Sequence, residues 1–289
     1  MLARLLVRAM DAQGVWTRPL GDLAHRFLFW LFQGLPALRD LLVGRWLGHP
    51  LHAVLTDAPI GILFLVTVFD VIDDPGAAAF TLALGILTML AAALAGFADY
   101  ADTDGKARER ATLHSSLMLL ALLGYLVSFV LRLGSGPAAS AAGVWLSILS
   151  FIVLAGGAYV GGDVVYVLGN MVSRHAFRGA GTKWIALEPA ELDGDQIPEG
   201  KLVKAKLGIN QLVLVRQGEQ ILALHDTCAH SGGPLNEGKL LDGVVECPWH
   251  FSRYRLSDGL VVRGPSVYDQ PSYEVRRREG GGWEARRRG

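Results

Sequence analysis

Four long apolar stretches, separated by short polar ones, dominate residues 47–170 of this chain. Each has about the 20 residues with which a helix crosses the hydrocarbon layer of a membrane. A helix of that length in a soluble protein would carry a charged or polar face. We therefore expect an α-helical transmembrane four-helix bundle. The expected spans are approximately 51–72, 77–98, 113–133 and 143–169.

Residues 1–46 contain apolar clusters that are too short to span a membrane. The longest is FLFWLF at 27–32, with arginines and tryptophans on either side. This pattern is typical of an amphipathic segment that lies in the membrane interface. Packing of an ordinary soluble helix against the bundle explains the pattern equally well.

After a linker at 171–182, the pattern changes to short segments with strand-like alternation. KLVKAKL, QLVLVR, ILALH and GVVEC are examples, and turn residues such as Gly, Asn and Asp separate them. About a hundred residues of this kind predict a C-terminal all-β domain at 183–289, folded as a small antiparallel barrel or sandwich.

Charge is balanced overall but unevenly placed. The chain has 27 Lys and Arg and 27 Asp and Glu, a net charge of zero that argues against a nucleic-acid partner. Basic residues near spans mark the cytoplasmic side, so we expect the N-terminus and the β domain to be cytoplasmic. The flanking basic residues are Arg39, Arg45, Lys106, Arg108, Arg110, Arg174, Arg178 and Lys183 on that side and Arg132 on the other.

The β domain contains both cysteines of the chain, each close to a histidine. The spacing is Cys228-x-His230, sixteen residues, then Cys247-x-x-His250. Two thiolates and two imidazoles can hold a [2Fe–2S] cluster, with the cysteines on one iron and the histidines on the other. A zinc ion bound by all four side chains and a disulfide between the cysteines are the alternatives.

The stretch C-x-H-x-G-G-P-L through C-P-W-H, residues 228–250, resembles the Rieske-type ferredoxins of bacterial oxygenase systems. The resemblance covers about 183–289. It implies a Rieske [2Fe–2S] cluster, single-electron transfer and a redox protein partner, either a reductase or an oxidase. No histidine follows His250 to build the mononuclear iron site of an oxygenase, so a catalytic oxygenase subunit is not expected.

Two hydroxyl residues follow the last expected ligand. Ser252 and Tyr254 match positions from which high-potential Rieske subunits donate hydrogen bonds to cluster sulfurs. The resemblance implies that they raise the reduction potential above that of oxygenase ferredoxins. The alternative is that both hydroxyls only form hydrogen bonds with the backbone of the loop. Phe251 stands where the family usually has a glycine.

The membrane domain carries ionisable residues near the ends of its spans. GHPLH contributes His49 and His52, which we expect on one face of the first span, while Asp99 ends the second span and His114 begins the third. H-P-x-H before an apolar helix with a proline, here Pro59, resembles the domain of unknown function 2231, a bacterial membrane family, over about 45–170.

Three interpretations of these polar residues remain open. His52 or His49 could pair with His114 as axial ligands of a haem b, the residues could line a quinone or proton-linked pocket, or they could cap helices at the interface. The sequence thus predicts a Rieske-type ferredoxin anchored in a bacterial inner membrane and in contact with the lipid bilayer. It would exchange electrons with a soluble partner and with a haem or quinone. A subunit of a quinone-linked oxidoreductase and a membrane redox sensor are the alternatives.

Overall fold

The computed structural model describes residues 2–134, 141–177, 181, 183–189 and 197–288. Four positions of the expected linker at 171–182, namely Arg178 and residues 179, 180 and 182, lie outside them. The chain divides into two compact units, Met1–Leu38 with Pro50–Asn170 and Arg39–His49 with Met171–Gly289. The helices are α1 Leu2–Ala12, α2 Gly14–Gly34, α3 Pro36–Leu42, α4 Leu51–Val71, α5 Pro75–Tyr100, α6 Gly105–Gly134 and α7 Ala141–Gly162.

Four helices of the first unit are long and apolar enough to cross a membrane. They are α4, α5, α6, and α7 together with the π-helical turn Asp163–Val167 that continues it. Only 17–33% of their most apolar segments is buried inside the protein. Many large apolar side chains of these helices are exposed, as expected of helices in contact with lipid. The predicted fold class, a four-helix membrane bundle followed by a β domain, is confirmed.

Small residues let the four helices approach closely. A Cβ at Gly85 of α5 would overlap Leu63 of α4, and one at Gly124 of α6 would overlap Ser150 of α7. Such contacts are typical of membrane helices, where close packing replaces the hydrophobic effect as the source of association. Both α4 and α6 pack against α5 and α7, which places α4 and α6 diagonally across the bundle.

A buried ion pair joins three of the helices. Arg132 of α6 donates from Nη1 and Nη2 to the two carboxylate oxygens of Asp70 in α4, both at 2.7 Å. Ser147 of α7 accepts a further bond from the guanidinium at 3.0 Å. Both charged side chains are almost completely buried, so each depends on the other to compensate its lost hydration.

The expectation that His49 and His52 share a helix face is wrong. Helix α4 begins at Leu51, after Pro50 with φ −56° and ψ 124°. The residue before a proline is disfavoured in the helical region because it clashes with the proline ring. His49 is therefore outside the helix, and it is exposed.

Two antiparallel sheets form the second unit. One has the order β1-β11-β10-β5-β4-β3-β2 and the other the order β6-β7-β8-β9. The strands are β1 Ile185–Ala186, β2 Glu188–Pro189, β3 Val203–Leu207, β4 Asn210–Gln217, β5 Gln220–His225, β6 Lys239–Leu241, β7 Val244–Glu246, β8 Arg253–Arg255, β9 Val261–Arg263, β10 Ser272–Arg277 and β11 Trp283–Arg287. One of their hydrophobic cores includes Cys228, Cys247 and Tyr254, so this core packs directly against the expected cluster ligands.

The segment Arg39–His49 belongs to the β unit, although it precedes the membrane bundle in sequence. Asp40 accepts a hydrogen bond from Gly264 N at 2.9 Å and one from Arg45 Nε, also at 2.9 Å. Gly264 lies in the loop between β9 and β10, 224 residues further along the chain. Residues 1–46 are therefore not one amphipathic segment, because the last part of α3 packs with the β domain.

Candidate metal centre

Two loops of the β domain bring the four expected ligands together. Cys228 and His230 lie in the loop after β5, and Cys247 and His250 lie in the turn between β7 and β8. The cysteines are 1% and 2% exposed, whereas both histidines are partly exposed. The histidine ring centroids are 5.1 Å apart with an interplanar angle of 86°. The arrangement is thus a buried pair of thiols beneath a more accessible pair of imidazoles.

Backbone hydrogen bonds close each loop around its ligands. Cys228 N donates to Gly233 O at 2.9 Å, and Cys247 N donates to Ser252 O at 2.8 Å. Gly232 in the first loop has φ +89°, and Phe251 in the second has φ +66°. The second value is uncommon for a residue with a Cβ. Phe251 therefore adopts the left-handed conformation that a glycine would adopt more easily, and the turn forms despite the substitution.

The two thiols interact with each other and with a tyrosine. They are not joined by a disulfide. Burial raises the pKa of Cys228, and the neighbouring Cys247 raises it further, whereas the hydrogen bond from Cys228 lowers the pKa of Cys247. Tyr254 Oη is 3.1 Å from Cys228 Sγ, and its own pKa is raised well above the usual value, first by burial. Two buried thiols so close cannot both ionise without a compensating cation, which bound iron would provide.

The histidines are suited to bind metal as neutral imidazoles. Burial lowers the pKa of His230 well below its usual value, and the nearby charges of His250, Arg39 and Arg174 lower it further. Ligation requires an unprotonated nitrogen, so this environment favours the ligating form. Arg39 is 2% exposed and places a buried positive charge near the ligand loops.

Two thiols and two imidazoles form the donor set of a mixed-ligand [2Fe–2S] cluster. A structural zinc site would need four ligands around one centre. A [2Fe–2S] cluster needs only two protein ligands per iron, because sulfide completes each coordination shell. Gly233 also keeps the site open, since a Cβ there would come within 2.9 Å of Cys247 Sγ.

The loop between β9 and β10 supports the ligand loops through residues that the sequence pattern did not reveal. Gln270 Oε1 accepts from Ala229 N at 2.8 Å, and its Nε2 donates to the carbonyls of His225 and Thr227 at 2.6 and 2.7 Å. In the same loop, Ser266 N donates to Ser252 Oγ at 2.9 Å. No motif signals these contacts, because each one joins positions far apart in sequence.

The candidate residues of the membrane unit are only partly brought together. His52 and His114 face each other with ring centroids 6.2 Å apart. Asp99 lies near the end of α5, and its Oδ2 is buried without a hydrogen-bond partner among the described residues. His49 belongs to the other unit.

Two family models match different parts of the chain. The Rieske [2Fe-2S] domain model matches residues 189–274, and the model described as predicted membrane protein (DUF2231) matches residues 48–174. The first match contains the four expected cluster ligands, and the second contains all four membrane-length helices up to residue 167.

Curated relatives and a solved structure match part of the chain. Ferredoxin CarAc from Metapseudomonas resinovorans is 33% identical over 75 residues, which are 26% of this chain and 70% of that ferredoxin. The ferredoxin component of biphenyl 2,3-dioxygenase from Rhodococcus jostii (strain RHA1) is 33% identical over 83 residues, 29% of this chain and 77% of the relative. The ferredoxin of carbazole 1,9a-dioxygenase from Nocardioides aromaticivorans IC177 aligns with 37% of this chain and 99% of its own, at 20% identity and a TM-score of 0.32.

Proposed function

The chain belongs to the Rieske [2Fe–2S] ferredoxin family, and from this premise we propose that it is a membrane-anchored electron carrier. The observation that carries the proposal is the convergence of two buried thiols and two partly exposed imidazoles on adjacent loops. When bound, the [2Fe–2S] cluster supplies a centre that takes up and releases one electron.

Each ligand pair has its own task in this proposal. Cys228 and Cys247 would hold one iron in the core, where burial excludes water. His230 and His250 would hold the other iron nearer the surface, where a redox protein can approach. Trp249 is 48% exposed, with its ring centroid 6.5 Å from that of His250. The partner surface would therefore include an aromatic side chain beside the outer ligands, as is common where proteins recognise each other.

Hydrogen bonds and charges would set the potential of the centre. A reduced cluster carries an additional negative charge, which a hydroxyl donor or a nearby cation stabilises. Tyr254 is positioned to donate to Cys228 Sγ. Ser252 Oγ accepts from Ser266 N, which leaves its own hydrogen available for a sulfur. Together with Arg39, these groups support a potential above that of oxygenase ferredoxins.

The partners follow from the two halves of the chain. One of the named relatives is the ferredoxin component of biphenyl 2,3-dioxygenase, so a soluble reductase or oxidase is the expected partner of the β domain. We place the bundle in a bacterial inner membrane, and the excess of Lys and Arg on one side of the spans supports a cytoplasmic N-terminus and Rieske domain. Within the bilayer, a haem or a quinone would be the second redox partner.

The proposal is tested with the full chain purified in detergent. We expect about two irons and two acid-labile sulfides per chain and, after dithionite reduction, the EPR signal of a mixed-ligand [2Fe–2S] cluster. His250→Ala should remove that signal, whereas Lys239→Ala on the exposed face of β6 should retain it. A signal that survives His250→Ala, or stoichiometric zinc without iron, would contradict the proposal. Rapid reduction of the cluster by a quinol in proteoliposomes would instead favour a quinone-linked oxidoreductase.

A further inference from the structure

Two histidines of the bundle make the same pair of contacts with neighbouring helices. His52 in the first turn of α4 has Nδ1 2.9 Å from the carbonyl oxygen of Ala92 in α5. One turn further along α5, Gly96 lies against the same ring, and a Cβ there would come within 2.9 Å of the imidazole. The carbonyl and the glycine thus fix the orientation of this imidazole.

The second helical hairpin repeats the arrangement. His114 of α6 has Nδ1 2.8 Å from the carbonyl oxygen of Gly157 in α7. Gly161, again one turn further along, contacts the ring, and a Cβ there would also come within 2.9 Å of it. In both hairpins the carbonyl and the glycine are four residues apart on the second helix. The repetition indicates that both ring orientations are specified rather than incidental.

The hydrogen bonds determine which nitrogen of each ring is available. A carbonyl oxygen only accepts hydrogen bonds, so each Nδ1 must carry the hydrogen. In a neutral imidazole the other nitrogen, Nε2, then presents a lone pair. Metal-binding histidines typically show this division, with the second ring nitrogen donating to a backbone carbonyl or carboxylate. Both rings are thus prepared to bind a metal ion through Nε2.

The separation of the rings matches two imidazoles on one metal ion. A metal–imidazole bond is about 2.0–2.1 Å and the ring centroid lies about 1.1 Å behind the nitrogen, so two opposed ligands place their centroids about 6.3 Å apart. The observed distance is 6.2 Å, with an interplanar angle of 74°. Because α4 and α6 are diagonal in the bundle, their side chains approach a common point from opposite sides.

The ligand count indicates what kind of metal site this would be. No third His, Cys, Asp or Glu joins the pair in a metal-binding group among the described residues. A zinc or other divalent cation held by protein alone would require three or four ligands. A tetrapyrrole brings four nitrogen ligands of its own and needs only two axial ones. We propose that His52 and His114 are the axial ligands of one b-type haem in the membrane bundle.

The redox role of this site rests on the proposed function, although the site itself does not. A bis-imidazole iron changes between ferric and ferrous by one electron, the same change as in the Rieske cluster. Oxidation of the reduced cluster by one electron would be balanced by reduction of ferric haem iron to ferrous. The haem would then be the second redox partner of the electron carrier.

The test measures haem and cluster in the same sample of full-length protein. The chain is expressed with iron, cysteine and δ-aminolaevulinate, purified in detergent, and analysed by optical spectroscopy, pyridine haemochrome and EPR. We expect one haem b per chain, with the Soret and α bands of a low-spin bis-imidazole iron, beside one cluster. His52→Ala and His114→Ala should each lose at least nine-tenths of the haem. His25→Ala, in α2 of the same unit, is the matched control and should retain it.

The cluster signal distinguishes the possible outcomes. A variant that is folded yet lacks haem shows a full cluster signal and the same size-exclusion elution volume as the wild type. Such a result supports the site. If both alanine variants misfold, His114→Met keeps an axial ligand and should shift the absorption bands. A wild-type protein with a full cluster that neither contains haem nor binds added haemin overturns the inference and leaves the proposed function standing. Stoichiometric copper without haem also overturns it. Haem without a cluster overturns the proposed function instead.

Discussion

Replacing Tyr254 by phenylalanine removes one hydroxyl, 3.1 Å from Cys228 Sγ, and leaves the buried ring in place. A hydrogen bond to a charged acceptor contributes about 1.5–3 kcal/mol. Only the part that strengthens when the cluster gains an electron affects the potential. If that part is about half, the reduced state loses roughly 0.75–1.5 kcal/mol relative to the oxidised state, which corresponds to a fall of about 30–65 mV for one electron.

The assay is a redox titration of the full chain in detergent, followed by EPR or by the visible circular dichroism of the cluster. Tyr268→Phe is the matched control, because Tyr268 donates to the backbone carbonyl of Met171 at 2.8 Å and not to a cysteine sulfur. We expect a shift of less than about 15 mV for the control. An unchanged or higher potential in Tyr254→Phe would refute the reasoning. It would mean that this hydroxyl only fills space in the core and satisfies a hydrogen bond there.

Three further predictions concern other contacts. Asp40→Ala removes the acceptor of Gly264 N, so we expect faster loss of the cluster to a chelator, measured by bleaching of its visible absorption; an unchanged rate would argue against the contact. Arg132→Met leaves the Asp70 carboxylate buried without its bidentate partner. We expect the free energy of unfolding to fall by about 3–5 kcal/mol, measured as a lower melting temperature in detergent. The double variant with Asp70→Leu should recover part of this stability. Gly96→Leu places a side chain in the space of the His52 imidazole, so we expect this variant to bind less haem. Retention of the full haem content would argue against the axial pair.

Local patterns in the sequence revealed the parts of the fold that depend on local chemistry. The membrane helices follow from runs of apolar residues. In lipid, the backbone N–H and C=O groups of each run must form their hydrogen bonds within one helix. The Rieske domain followed from Cys228-x-His230 and Cys247-x-x-His250, because paired thiol and imidazole ligands are rarely spaced in this way by chance. The potential contact between Tyr254 and a cysteine sulfur was also predictable, since resemblance to a known family gave the position.

Contacts between distant positions could not be predicted in the same way. The bond between Asp40 and Gly264 joins residues 224 positions apart, and neither residue lies in a recognisable motif. The contacts of Gln270 with the first ligand loop are of the same kind. Hydrophobic periodicity reports which face of an element is buried, but it does not report which distant segment covers that face.

The histidine pair of the bundle illustrates an intermediate case. The sequence identified His52 and His114 as candidates because ionisable residues in spans are costly and therefore of functional interest. It could not identify the two carbonyl acceptors or the glycines beside the rings, because these lie 40 or more residues from His52 and His114. It also placed His49 on the helix, although the restriction before Pro50 was readable from the sequence.

The most direct test of the electron-carrier account is EPR of the dithionite-reduced, full-length protein, with spin quantification and iron and sulfide analysis of the same sample. The account predicts one mixed-ligand [2Fe–2S] spin per chain, abolished in His250→Ala and retained in Lys239→Ala. A protein that folds in detergent but shows no such spin after anaerobic cluster reconstitution would contradict it.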